Sequence, residues 1–207
     1  MSSLTISQDL LRVYLAPRDI PLTRSSLPKS SAAIEPLTHY THVGIATSCS
    51  PDGLLKRLAL ATSDAVLLIS VDPKCQSALR TRDAALADFL QAGPMLLGFS
   101  MAHIALQIHR DLNVHVRNGI DLSTLCSPST REPWAPSKVV SRRLYPQESS
   151  RKIDCLWYNA DEDSEREVAL RAWISAMHEP PRLRETFFAD PETIGSATPA
   201  LRTSRHR

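Results

Sequence analysis

The sequence predicts an α/β domain: a mixed β-sheet flanked by helices. Three observations carry this. Short, β-branched apolar runs recur at turn-sized intervals between residues 41 and 73. Two stretches further on, near 76–93 and 101–112, switch to helical periodicity with a buried-type strand between them. Strands that precede alternating helices and strands have to share one sheet with helices on its faces.

The first 37 residues carry prolines at 17, 21, 28 and 36 among serines, and read as a loosely ordered lead-in. Within it Leu10, Leu11, Val13, Tyr14 and Leu15 are apolar enough to dock as a short element. The compact domain is expected over 38–179, followed by a tail over 180–207 that has lost periodicity.

THVGIAT (41–47) suits a buried strand stopped by SPDG, LLKRLALAT (54–62) alternates in part, and SDAVLLISVDP (63–73) is strongly apolar before Pro73. Short turns between them predict an antiparallel meander. QSALRTRDAALADFLQAG then places Leu79, Leu86, Phe89 and Leu90 near one helical face and ends at Gly93-Pro94. PMLLGFS (94–100) reads as a buried strand. Met101, Ile104, Ala105, Ile108 and Leu112 fall at i, i+3, i+4, i+7 and i+11 of a second helix. VRNGIDLSTL follows as a short extended piece. The segment 127–152 is loop-rich with a short helix over 136–144, and Ser164 with Glu167 forms a capping box that opens a last helix. The order is β-β-β-α-β-α-β-α-α.

Apolar content of 43%, charged content of 22% and a net charge of +2 fit a soluble globular protein and neither require nor exclude nucleic acid. Cys49, Cys75, Cys126 and Cys155 form no CxxC pair, which argues against a zinc site or a disulfide framework and for reduced, interior thiols. No signal pattern and no membrane-length apolar run is present, so an intracellular location, nuclear or cytoplasmic, is expected.

The tetrapeptide HRDL (109–112) invites a protein-kinase reading, but the position five residues beyond Asp111 is Val116 rather than a magnesium-binding Asn. No glycine-rich loop, VAIK lysine or DFG accompanies it, and the helical spacing upstream places HRDL in the last turns of a helix. The kinase reading is rejected.

Read as a unit, LLGFSMAHIALQIHRDLNVHVRNGIDL (96–122) resembles the second motif of the DEDD 3'-5' exonucleases, in the branch of the Werner-type and exosome-associated enzymes. Leu97-Gly98 matches a strand end, Asp111-Leu112-Asn113-Val114 a helix end, and Gly119-Ile120-Asp121-Leu122 a final strand. Upstream, VGIATSCSPDGLLKRLALATSDAVLLISVD resembles the family's first motif, Val-Gly-Ile-Asp-Thr-Glu and the strands after it. Downstream the likeness is looser: WAPSKVVSRRL, Trp157, and EREVALRAWISAM in the place of Gln-x-x-Tyr-Ala-Ala-x-Asp-Ala. It covers roughly 41–178 and implies a ribonuclease-H-like fold.

The family's chemistry is two-metal phosphodiester hydrolysis, in which carboxylates offset the charge of paired Mg²⁺ or Mn²⁺ ions. At the positions of those acids this chain has Ala46, Ser48, Ile104 and, on the last helix, Ile174 or a neighbour; the water-orienting Tyr falls near Leu170. The resemblance therefore implies no catalytic residues, no metal and no cofactor. An active Mg²⁺- or Mn²⁺-dependent exonuclease would need acids from elsewhere, such as Asp52 or Asp64, with His103 beside the vacant position. Asp161, Glu162 and Asp163 read as charge at a helix N-terminus.

With hydrolysis removed, nucleic acid, RNA or DNA, is the expected partner, since phosphate contacts need only cations and backbone donors. Lys138, Arg142 and Arg143 on the short helix, then Arg151 and Lys152, form the candidate surface, with Trp134 and Tyr145 as stacking candidates. Lys56-Arg57 and Arg80/Arg82 are further basic pairs, and Trp157 and Trp173 are expected in the core. A protein-interaction module that has given up nucleic acid is the third reading.

Overall fold

A computed structural model describes residues 2–6, 18–27, 30–71, 83–129, 131–144, 150–158 and 164–178, without the side chains of 2, 6, 18, 143 and 144. One sheet of seven strands organises it: β1 (Ser2–Ile6), β2 (Arg18–Ser26), β3 (His42–Cys49), β4 (Leu55–Ala61), β5 (Val66–Ser70), β6 (Met95–Gly98) and β7 (Gly119–Asp121), in spatial order β1-β2-β5-β4-β3-β6-β7. The meander β3-β4-β5 is antiparallel, as its short turns predict, while β6 and β7 join parallel to β3.

Helices cover both faces. The short α1 (Ser31–Ile34) with its 3-10 extension (Glu35–His39), α2 (Ala84–Ala92) and α3 (Met101–Leu112) pack on one side. The other side holds α5 (Pro136–Leu144), α6 (Ser150–Tyr158) and α7 (Glu165–Ala176), and the one-turn α4 (Leu122–Leu125) follows β7. Strand alternation divides the core accordingly: Ala59, Ala61, Val66 and Leu68 join the α7 side, and Leu58, Leu60, Leu67 and Ile69 the α2/α3 side. No helix among the described residues is long and apolar enough to cross a membrane.

The lead-in expected over 1–37 is not loose where it is described. β2 pairs parallel with β5 from Leu22↔Val66 to Ser26↔Ser70, and β1 pairs antiparallel with β2. Proline density hid a period-2 pattern: Ile20 and Leu22 point inward on either side of Pro21, and Leu4 of β1 is buried with them. Residues 10–15, where a docking element was expected, lie outside the described set, as do 76–82 of the first predicted helix and the 180–207 tail.

A second correction is α6, which occupies a stretch read as loop up to residue 152; only Ile153 on it is buried, so its apolar signal is sparse. The thiols also differ from the interior expected for them: Cys155 is exposed and Cys49 and Cys126 are half-buried, while Cys75 lies outside the described residues.

HRDL ends α3 as the periodicity requires. Asn113 adopts the left-handed conformation (φ 54) that stops the helix. Asp111 turns back to the β3–β4 turn, where it accepts the Leu55 N–H at 2.6 Å, and Arg110 reaches the Gly53 carbonyl.

Candidate nucleotide cleft

β3 sets the geometry. Its alternation puts Gly44, Ala46 and Ser48 on the α7 face and Val43, Ile45 and Thr47 on the α3 face. Gly44 is required by a close approach: a Cβ there would stand 2.5 Å from Ala176 N and closer still to Ala172 O. α7 therefore lies directly on β3. Its start is fixed by the predicted capping box, in which Glu167 N donates to Ser164 Oγ at 3.2 Å and Ser164 N to Glu167 Oε2 at 3.3 Å.

β6 runs parallel beside β3 and ends at Gly98; Phe99 and a left-handed Ser100 (φ 57) then turn the chain into α3. The α3 N-terminus is capped from a distance, Met101 N donating to Asp121 Oδ2 at 2.7 Å. At the carboxyl ends of these two parallel strands a cleft of about 280 Å³ opens, the usual position for a ligand in such sheets.

Ala46 and Ser48 from β3 and Ile104 from α3 line this cleft together. Ile174 does not: it is fully buried in the core beneath α7. The α7 residue in the cleft wall is Arg171. From Val168 to Ala176 it is the one residue that is not buried. Trp157, expected in the core, also reaches the wall, its ring edge-on to Phe99 with centroids 4.9 Å apart.

Polar order is built into the α3 side. Thr47 Oγ1 donates to Gln107 Oε1 at 2.6 Å, and Gln107 Nε2 donates to His103 Nε2, also at 2.6 Å. With the amide oriented this way, the neutral imidazole carries its proton on Nδ1. On the opposite face Ser48 Oγ is buried with no hydrogen-bond partner among the described residues.

No described carboxylate lines the cleft, and among the described residues no group of three His, Cys, Asp or Glu could hold a metal ion. Hard divalent ions need oxygen-rich, anionic sites; alanine, isoleucine and a guanidinium do not fit them. Asp52 and Asp64 sit exposed in turns away from the cleft walls, and 161–163 lie outside the described residues.

Of the basic surface residues, Lys138 and Arg142 are exposed on one face of α5, and both cover the Trp134 ring, Nζ at 4.5 Å and Cζ at 4.8 Å from its centroid. That ring is already occupied, so stacking a base on it would require displacing a cation. Arg151 and Lys152 are exposed in the first turn of α6, whose far end carries Trp157. The Arg143 side chain, Tyr145, Arg80 and Arg82 lie outside what is described. Arg57 is engaged with Glu165 at 3.9 Å. Trp173 is core, donating its indole N–H to Ser63 O at 3.1 Å.

A larger groove of about 1280 Å³ lies at the other ends of the strands, between α1, α2 and the starts of β6 and β7. Its charged walls, Glu35, Asp88 and Arg117, are of mixed sign, and none of the vacant acid positions faces it.

No protein-family model and no curated protein matches the sequence. Solved structures do match. NrnC from Brucella melitensis bound to pGG superposes with a TM-score of 0.51 at 10% identity, covering 85% of this chain and 84% of that one. The Aedes aegypti Nibbler EXO domain gives 0.46 at 16% identity (74% and 80% covered), and the EXD2 exonuclease domain soaked in Mg gives 0.41 at 19% (74% and 84% covered). The fold is ribonuclease-H-like, as the motif resemblance implied.

Proposed function

We propose that this chain is a catalytically degenerate 3'-5' exonuclease-like domain that binds single-stranded RNA or DNA and does not cut it. The observation that supports the reading is the composition of the cleft: Ala46, Ser48, Ile104 and Arg171 line it together, and the motif resemblance sets the first three against acids of the family. Moving the third motif's register back by three residues, from Ile174 to Arg171, sets Glu167-Val168-Ala169-Leu170-Arg171-Ala172 against Tyr-Ala-Ala-x-Asp-Ala and recovers two of its alanines. Glu167 then stands in place of the water-orienting tyrosine, and it is committed to the α7 cap.

A guanidinium in place of an aspartate does more than remove a ligand. It puts fixed positive charge where hydrolysis would need divalent cations, and it repels them. Binding a polyanion survives the exchange. Lys138, Arg142, Arg151 and Lys152 supply phosphate contacts outside the cleft, and Arg143 is a further candidate by sequence. The pGG held by NrnC is a ligand of this class.

The test is incubation with labelled single-stranded RNA and DNA in Mg²⁺ or Mn²⁺. A mobility shift that weakens steeply with salt and leaves the strand at full length is expected. Shortened products that vanish in a chelator would establish an active nuclease. Neither shift nor cleavage would leave the interaction-module reading.

A further inference from the structure

We infer that the cleft is a metal-independent phosphate site, in which Arg171 takes the place of the paired cations and the Ser48 hydroxyl donates a hydrogen bond to the same group. The inference rests on the proposed nucleic-acid reading and adds to it the ligand unit, one nucleotide with its phosphate, and the source of the charge.

Two independent features converge. Arg171 is the cation of the cleft wall, and its planar fork of N–H donors matches phosphate geometry. Ser48 is 97% buried by its 3% exposure, lines the same cleft, and has a hydroxyl without a partner among the described residues. A buried hydroxyl without a partner costs free energy, and an incoming phosphate oxygen would satisfy it.

The α3 N-terminus adds little, because the Asp121 carboxylate already caps it. The charge selectivity of the site therefore falls on Arg171. On the α3 side, the Thr47–Gln107 chain engages His103 through its Nε2 and orients the ring.

Size sets the occupant. A cleft of about 280 Å³ lies just under the range of small-ligand pockets, which start at roughly 300 Å³, so it takes a single nucleotide unit rather than a folded strand. Phe99 and Trp157 give that unit an aromatic wall.

The experiment titrates the full chain with adenosine 5'-monophosphate, adenosine and inorganic phosphate, each with Mg²⁺ and with a chelator, by calorimetry. The monophosphate should bind equally well in both conditions, adenosine at least about ten-fold more weakly, as expected for loss of charge-assisted hydrogen bonds. Inorganic phosphate that binds as tightly as the nucleotide would place the whole ligand in the anion and remove the base from the proposal.

Arg171→Gln should weaken the monophosphate about ten-fold or more and Ser48→Ala several-fold, each with an unchanged melting temperature. The double variant Lys138→Ala/Arg142→Ala should leave the monophosphate untouched while weakening a longer oligonucleotide. No monophosphate binding, binding that needs Mg²⁺, or an unaltered affinity in Arg171→Gln overturns the phosphate site. If the oligonucleotide still shifts in that last case, the nucleic-acid reading stands without it. If the monophosphate binds and no oligonucleotide does, the reverse holds.

Discussion

The Asp111 carboxylate accepts the Leu55 backbone N–H at 2.6 Å, tying the end of α3 to the turn that closes β3 onto β4. Arg110, its neighbour, bonds the same carboxylate at 2.6 Å through Nε and the Gly53 carbonyl through its guanidinium end. The hydrogen bond from Arg110 holds Asp111 below the ordinary carboxylate range; burial opposes this, and the Leu55 N–H adds to it. The Asp111 side chain is only 3% exposed but that of Arg110 is 50% exposed, so solvent screens the ion pair in part and the Leu55 N–H contact less.

A folded-state value below the unfolded one means stabilisation that is complete above the unfolded pKa, about 3.9, and is lost as pH falls through the folded value. Asp111→Asn should cost about 1–3 kcal/mol at neutral pH. The gap between the thermal melts of the two proteins should start to narrow as pH falls to about 4 and should close only below the folded-state value. A gap that is constant with pH would refute the charge-based account.

Gly44→Ala should be severely destabilising, by about 3 kcal/mol or more, because the new methyl meets the α7 backbone and not a flexible side-chain end. Denaturant midpoints measure it, and the loss should be accompanied by exposure of Trp173, whose fluorescence reports α7 docking.

Wild-type melting should be indifferent to Mg²⁺, Mn²⁺ and chelator. The quadruple variant Ala46→Asp, Ser48→Glu, Ile104→Asp, Arg171→Asp should melt lower in chelator, since four carboxylates crowd one small cleft, and should be raised by Mn²⁺. A quadruple variant that melts alike with and without Mn²⁺ would show that Arg171 is not the position the fold uses.

Lys138→Ala with Arg142→Ala should reduce the slope of log affinity against log salt for a single strand by about 1.4, two contacts at roughly 0.7 each. Uncovering Trp134 in the same variant should make its fluorescence quenchable by the bound bases.

How far the sequence could be read follows from the range of the interactions involved. The meander, β6, α3 and the α7 capping box each announce themselves within a dozen residues, by alternation, helical period or cap chemistry, and all are present. β2 is different: its partner is β5, and nothing local to a proline-containing segment names a strand more than forty residues away. On α7 the obstacle is burial. With every neighbour of Arg171 from Val168 to Ala176 buried, periodicity cannot say which residue faces the cleft, and Ile174 was as good a choice as any apolar position. Arg171 itself was the signal, the one charged residue of α7 beyond its first turn.

The position of β2 and β1 at the end of the sheet has a practical consequence. A fragment started at residue 38 would lack both strands and leave β5, VLLIS, as a bare edge with its backbone donors and acceptors unpaired. Such an edge is a template for pairing with a second copy, so the shortened chain should aggregate. The proline-rich opening segment thereby guards the molecule against its own kind.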